Sequence, residues 1–133
     1  MYSIFWILYS NFMTDSNIAT ITTEKNFTLV TFNVASLTAG SGLEYLAEKI
    51  PQIVRNDKPQ NLIVDFKGIK FFSSQTLGIL LDARKKIAAY NGNVVICSIN
   101  PQLYRVFKIT NLDKIFKFYP DAPTAIADLK KTT

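Results

Sequence analysis

The chain has 133 residues, 48% hydrophobic and 19% charged, which is typical of one folded domain with its own core and not of a disordered segment. With no histidine and one cysteine, the chain by itself cannot form a Ser-His-Asp or Cys-His nucleophile system, an intrachain disulfide or an ordinary four-ligand zinc site. The missing histidine and the single cysteine lead us to expect no cofactor, no metal and no enzyme activity. A net charge of +5 without a long basic run raises the chance of an acidic partner and, weakly, of nucleic acid, although solvated helix faces are the favoured interpretation of the two short basic clusters, 84–86 and 130–131.

Residues 1–12 are apolar and uncharged. A membrane span needs about 20 such residues, and a secretory signal needs a basic start and a small-residue cleavage site. Since Met13 and the residues after it look like an ordinary cytosolic start, we expect residues 1–12 to be a non-native or disordered extension of a single domain over 13–133. A short membrane-touching anchor is the alternative.

The first half of the domain begins with two segments rich in β-branched residues, 18–24 and 27–34, separated by Lys25-Asn26. This pattern predicts a hairpin. Residues 36–42, with Ser, Thr and two Gly, predict a loop.

A helix is predicted next, because apolar residues recur at intervals of three and four. These residues are Leu43, Leu46, Ile50, Ile53 and Val54. Pro51 removes a backbone donor inside this pattern, so we expect either a kink at Pro51 or a helix that begins before Leu43.

The middle of the chain predicts a buried strand over 62–66, an extended segment over 69–72 and a helix from Ser74. The inward face of that helix is predicted to carry Leu77, Leu80, Leu81, Arg84, Ile87 and Ala88. Gly92 is predicted to end the helix as a left-handed cap. The strand over 93–98 contains Cys97 in an apolar run, which predicts a buried thiol and suits a reducing cytoplasm.

The last part of the chain opens with Asn100-Pro101, a strong helix start that leads to a break at Asn111. A strand over 115–118 and a helix from Asp121 follow. The complete order is ββαβαβαβα, which predicts an α/β sandwich with a mixed, mostly parallel sheet and about four helices.

Ser73 and Ser74 stand where the extended segment meets the second helix. A serine at this position has two interpretations. Its hydroxyl can cap the helix by accepting a backbone N–H bond. It can also be a phosphoacceptor, because a phosphate there would meet free backbone donors and the positive end of the helix dipole.

Several residues in this region fall in step with a known signature. They are Asp65, Gly68, Phe71, Ser74, Leu77 and Gly78. Downstream, the segments 92–101, 106–107 and 110–116 continue the match, so that it covers roughly residues 18–130. The chain thus resembles the STAS domains, and among them the bacterial anti-sigma-factor antagonists.

The resemblance implies a cytoplasmic regulator whose serine at the position of Ser74 is phosphorylated by its partner, an anti-sigma factor that is a serine kinase of the histidine-kinase-like ATPase type. The unphosphorylated form binds that kinase, and a serine phosphatase restores it. The implied partner-binding residues are Thr38, Ser41, Ser73, Ser74, Gln75 and Thr76. This sequence departs from the signature at Ser73, which replaces an Asp, at Gln75, and at Thr76, which replaces a Gly.

Two other functions stay open. The missing Asp before Ser74 favours a scaffold STAS subunit that is never phosphorylated and belongs to a signalling or transport complex. An enzyme or small-ligand domain is disfavoured, because the chain has no Walker-type glycine-rich loop, no histidine and no clustered carboxylates.

Overall fold

The computed structural model describes residues 13–15 and 18–131. The extension predicted over residues 1–12 lies outside the described residues. The strands are β1 (Met13–Asp15), β2 (Ala19–Thr23), β3 (Thr28–Phe32), β4 (Ser36–Leu37), β5 (Asn61–Asp65), β6 (Phe71–Phe72), β7 (Asn93–Cys97) and β8 (Lys117–Tyr119). The helices are α1 (Leu43–Asp57), α2 (Ser74–Ala88), α3 (Pro101–Ile109) and α4 (Ala122–Lys131), with a 3-10 turn over Leu112–Lys114.

Six strands form the main sheet in the order β1-β2-β3-β5-β7-β8. The two pairs at the β1 end are antiparallel, and β3, β5, β7 and β8 run parallel to one another. β4 and β6 form a separate parallel pair. Within the described residues, the predicted α/β class, the mixed and mostly parallel sheet and the four helices are confirmed.

Helices cover both faces of the sheet. The larger core contains side chains of α1, α2 and α3, among them Leu46, Leu80 and Phe107. The smaller core lies on the other face, where Ala125 and Leu129 of α4 pack with residues of β5 and β7. Because it is covered on both faces, β5 is buried along its whole length, as parallel strands usually are.

Cys97 belongs to the smaller core and is completely buried, as predicted. Burial raises the pKa of its thiol to about 12, and the negative charge of Asp65 adds to the effect. The thiol therefore stays protonated near neutral pH, and a protonated, enclosed thiol is a poor nucleophile.

Two predictions about the first half of the domain are wrong. The segment 36–42 is not all loop, because Ser36 and Leu37 form β4 and pair with Phe71 and Phe72 of β6. For the first helix, the alternative of an early start is wrong, since α1 starts at Leu43 and continues to Asp57 through Pro51, whereas the alternative of a kink at Pro51 stays a prediction. The buried apolar stripe of α1 provides enough packing to outweigh one missing backbone donor.

The end of α2 also differs from the prediction. Asn91, and not Gly92, has the left-handed backbone conformation, with φ of 67°. Gly92 is needed for space instead, because a Cβ there would lie 2.6 Å from Cγ2 of Ile87 and 2.8 Å from the backbone oxygen of Gln60. The last strand is also shifted from the predicted 115–118 to Lys117–Tyr119, because the 3-10 turn occupies part of the connection.

Candidate functional site

The start of α2 is held in place by the small β4–β6 sheet. Leu37 is paired with Phe72, and the backbone N–H of Ser73 donates to the carbonyl of Leu37 at 3.2 Å. The segment after β4 and the segment before α2 are therefore held beside each other, which brings Thr38 and Ser41 into the neighbourhood of Ser74.

Ser73 is the N-cap residue of α2, and Ser74 is the first residue of the helix. The side chain of Ser73 makes no cap bond, and its Oγ is buried without a hydrogen-bond partner among the described residues. Ser74 is exposed. The N-cap interpretation of Ser74 is therefore wrong, because the extended backbone that an N-cap needs is found at Ser73.

Thr76 is fully buried, and its hydroxyl donates to the carbonyl of Leu37 at 3.0 Å. It fastens the first turn of α2 to β4. A fully buried side chain cannot touch a partner on the surface, so the prediction that Thr76 contacts a partner is corrected: Thr76 is a positioning residue for its neighbour Ser74.

The hydroxyls of the loop after β4 bond mainly to one another. Oγ of Ser36 donates to Oγ of Ser41 at 2.9 Å, and the backbone N–H of Ser41 donates to the carbonyl of Thr38, also at 2.9 Å. Both Thr38 and Ser41 are half-buried. These bonds give the loop a defined shape next to α2.

A groove runs between α1 and α2, beside the start of α2. Its first part has a volume of about 600 Å³ and is lined by Leu43, Glu44, Ala47, Pro51, Gln75, Gly78, Ile79 and Asp82. We call it, with its continuation towards the helix ends, the α1–α2 groove. Gln75 is exposed and follows Ser74 directly, so the phosphoacceptor candidate is at one end of this groove.

Phe71 is a surface feature that the sequence analysis did not single out. Its side chain is 65% exposed, although it is a large aromatic residue three positions before Ser74. A shallow depression beside it is shared with Lys70, Pro101 and Gln102. The sequence carries no signal for it, because β6 has only two residues and only the structure shows that Phe72 packs against the core, so that Phe71 points the other way.

The electrostatics at the start of α2 suit an added anion. The first turn of α2 contains no acidic residue. Glu44, which lines the groove nearby, has its carboxylate bound by the backbone N–H of Gly40 at 3.0 and 3.1 Å. The positive end of the helix dipole at Ser74 therefore has no negative side chain of its own turn to neutralise it.

The inward face of α2 agrees in part with the prediction, because Leu80 and Ile87 are buried and Leu77 and Leu81 pack half-buried against the core. Its buried residues are Thr76, Leu80, Ala83 and Ile87. Arg84 and Ala88, which were predicted to face inward, are exposed. The buried stripe of α2 is therefore shifted by about one residue from the predicted stripe. With this shift, Gly78 faces the groove.

Replacing Thr76 with valine should lower the free energy of unfolding by roughly 1 kcal/mol, because the buried carbonyl of Leu37 loses one of two donors. Urea denaturation measures this change. Replacing Thr22 with valine is the control, because Thr22 is a half-buried residue of β2 whose hydroxyl makes no hydrogen bond within the described part of the chain. If the unfolding curve of Thr76→Val matched that of the wild type, the hydrogen bond from Thr76 to Leu37 would not stabilise the start of α2.

Within the described residues, no helix is long and apolar enough to cross a membrane. The same part of the chain holds no cluster of three or more acidic or cysteine side chains that could bind a metal ion.

A family model described as the STAS domain matches residues 20–125. An anti-sigma F factor antagonist from Paenibacillus polymyxa is 23% identical over 82 residues, which cover 62% of this chain and 70% of that protein.

Solved structures share the fold. An anti-sigma-factor antagonist (STAS) domain protein from Planctomyces limnophilus superposes with a TM-score of 0.75 at 21% identity, over 84% of this chain and 97% of the other. The Bacillus protein SpoIIAA matches in its phosphorylated form, with a TM-score of 0.67 at 16% identity, over 84% of this chain and 98% of that one. Its unphosphorylated form matches with a TM-score of 0.68 at 14% identity, over 86% and 99% of the two chains.

Proposed function

Because the chain belongs to the STAS domain family, we propose that it is an anti-sigma-factor antagonist whose binding to an anti-sigma factor ends when Ser74 is phosphorylated. The partner is a serine kinase of the histidine-kinase-like ATPase type, and a serine phosphatase restores the binding form. This exchange takes place in the cytoplasm, where ATP is available and where a single reduced cysteine is stable.

The observation that carries this proposal is the position of Ser74. It is the first residue of a helix of 15 residues, and it is exposed. A phosphate on its hydroxyl would lie near the free backbone N–H groups and the positive dipole end of α2. It would also bring a charge of about −2 to the end of an apolar groove, which is enough to repel an acidic partner segment.

The departure at Ser73 changes how the kinase would recognise the site. With serine in place of the family's Asp, the start of α2 carries no negative charge before phosphorylation. Recognition would then depend more on uncharged and apolar contacts. The exposed ring of Phe71 offers such a contact, because aromatic residues often dominate the binding energy of interfaces.

The first experiment compares Ser74→Ala with Ser74→Asp, using calorimetry against the anti-sigma kinase of the same genome. We expect Ser74→Ala to bind as the wild type does, and Ser74→Asp to bind at least about tenfold more weakly, which is about 1.4 kcal/mol. Ala127→Asp places the same charge on an exposed position of α4, on the other face of the sheet, and should leave the affinity unchanged.

The second experiment uses mass spectrometry after incubation with this kinase and ATP. The wild type should gain one phosphate, and Ser74→Ala should gain none. Equal affinities of Ser74→Ala and Ser74→Asp would overturn the switch. If the wild type also gained no phosphate, the result would instead favour the unphosphorylated scaffold subunit.

A further inference from the structure

The α1–α2 groove changes in charge from one end to the other. Beyond its apolar first part, it continues into a depression of about 290 Å³ at the last turns of the two helices. That depression is lined by Pro51, Val54, Arg55, Lys58, Lys86 and Tyr90. Pro51 lines both parts, so the two form one continuous surface from the start of α2 to its end.

Three of the lining residues at the far end are exposed cations: Arg55, Lys58 and Lys86. Lys86 is paired with Asp82 at 2.9 Å. Among the described residues, no carboxylate forms an ion pair with Arg55 or Lys58. The far end of the groove therefore carries positive charge that the described part of the chain does not neutralise.

The apolar part of the groove has room for a partner side chain. Gly78 lines its floor, and a Cβ built on Gly78 would meet no atom within 4 Å. From Leu43 to Lys58 the groove is about 22 Å long at 1.5 Å per residue, which is the length of a helix of about 15 residues. A groove between two helices with apolar walls is a common docking site for an amphipathic helix.

From these features we infer that the α1–α2 groove receives an amphipathic helix of the anti-sigma factor, with apolar residues over Gly78 and Ile79 and acidic residues against Arg55 and Lys58. This inference rests on the proposed function and adds the chemistry of the partner segment. Attraction at the cationic end accounts for binding. A phosphate on Ser74 would lie at the other end, beside the partner's apolar residues, where its charge would have to lose water without a cationic partner, and this cost accounts for release.

The charge of the groove is tested with the double variant Arg55→Gln/Lys58→Gln, titrated with the anti-sigma kinase at low and high salt. We expect about tenfold weaker binding at low salt and a smaller loss of affinity on adding salt than the wild type shows. Lys25→Gln/Lys114→Gln removes two exposed cations outside the groove and should bind as the wild type does. Circular dichroism and thermal unfolding check that each variant is folded.

The shape of the groove is tested with Gly78→Trp, which fills its floor and should abolish binding. Ala88→Trp adds the same bulk at an exposed position of α2 that does not line the groove, and should bind normally. Wild-type affinity of Gly78→Trp and of Arg55→Gln/Lys58→Gln would overturn the groove inference. If Ser74→Asp still lost binding, the proposed switch would stand without it.

Two further outcomes are decisive. In the first, the wild type binds anionic phosphatidylserine vesicles, and Arg55→Gln/Lys58→Gln loses this binding but keeps its affinity for the kinase. That result would assign the cations to a lipid surface and overturn the inference. The absence of any complex between the wild type and the kinase would overturn both the inference and the proposed function.

Discussion

Replacing Phe107 with alanine should lower the free energy of unfolding by about 3–5 kcal/mol. The ring of Phe107 is fully buried and makes edge contacts with three other rings, with centroid distances of 5.9 Å to Phe72, 6.0 Å to Phe116 and 5.2 Å to Phe118. Removing it leaves a cavity and also loses the aromatic contacts, each of which adds to simple burial.

Urea denaturation measures this loss, and Ile109→Ala is the matched control. Ile109 lies on the same helix but is 74% exposed, so its replacement should change the stability by about 0.5 kcal/mol or less. A loss below about 1.5 kcal/mol for Phe107→Ala would mean that the surrounding rings close the cavity, and that the aromatic cluster is less rigid than its geometry indicates.

The same cluster connects the core with the candidate site. Phe72 of β6 contacts both Phe66, at 6.0 Å, and Phe107, at 5.9 Å, and the chain reaches Ser74 two residues later. The position of Ser74 is therefore set from two directions, by the rings on one side and by the hydroxyl of Thr76 on the other. A serine held on a rigid frame presents its hydroxyl in one place, which suits the switch proposed for it.

Much of the fold could be predicted, because local rules agree with the tertiary structure over most of the chain. Asn100 is an example: its Oδ1 accepts the backbone N–H of Leu103 at 2.9 Å, as the Asn-Pro sequence indicates. The Lys25-Asn26 turn of the first hairpin is another example, because the backbone N–H of Glu24 donates to the carbonyl of Phe27 across it. Each of these bonds joins residues only three positions apart.

The site was less predictable, because its bonds join residues that are distant in the chain. Thr76 and Leu37 are 39 residues apart, and nothing near Thr76 indicates that its hydroxyl points inward. β4 and β6 have two residues each, which is too short to show a period of two. The α1–α2 groove also depends on how two helices pack, and helical spacing alone placed Arg84 on the wrong side of α2.

Replacing Gly92 should lower the free energy of unfolding by about 2–3 kcal/mol, because even a methyl group would overlap Ile87 and the backbone of Gln60.

Thermal unfolding of Gly92→Ala, Gly92→Asn and Asn91→Gly separates the two possible roles of the glycine, which are to allow a left-handed backbone and to leave space. If Gly92 served a left-handed backbone, asparagine would replace it at little cost, since asparagine tolerates that conformation. Because space is the limit, Gly92→Asn should be at least as damaging as Gly92→Ala. Asn91→Gly should be nearly neutral, since φ at Asn91 is already 67°. A stable Gly92→Asn would show that the end of α2 shifts to make room, and that the contact with the segment before β5 is not fixed.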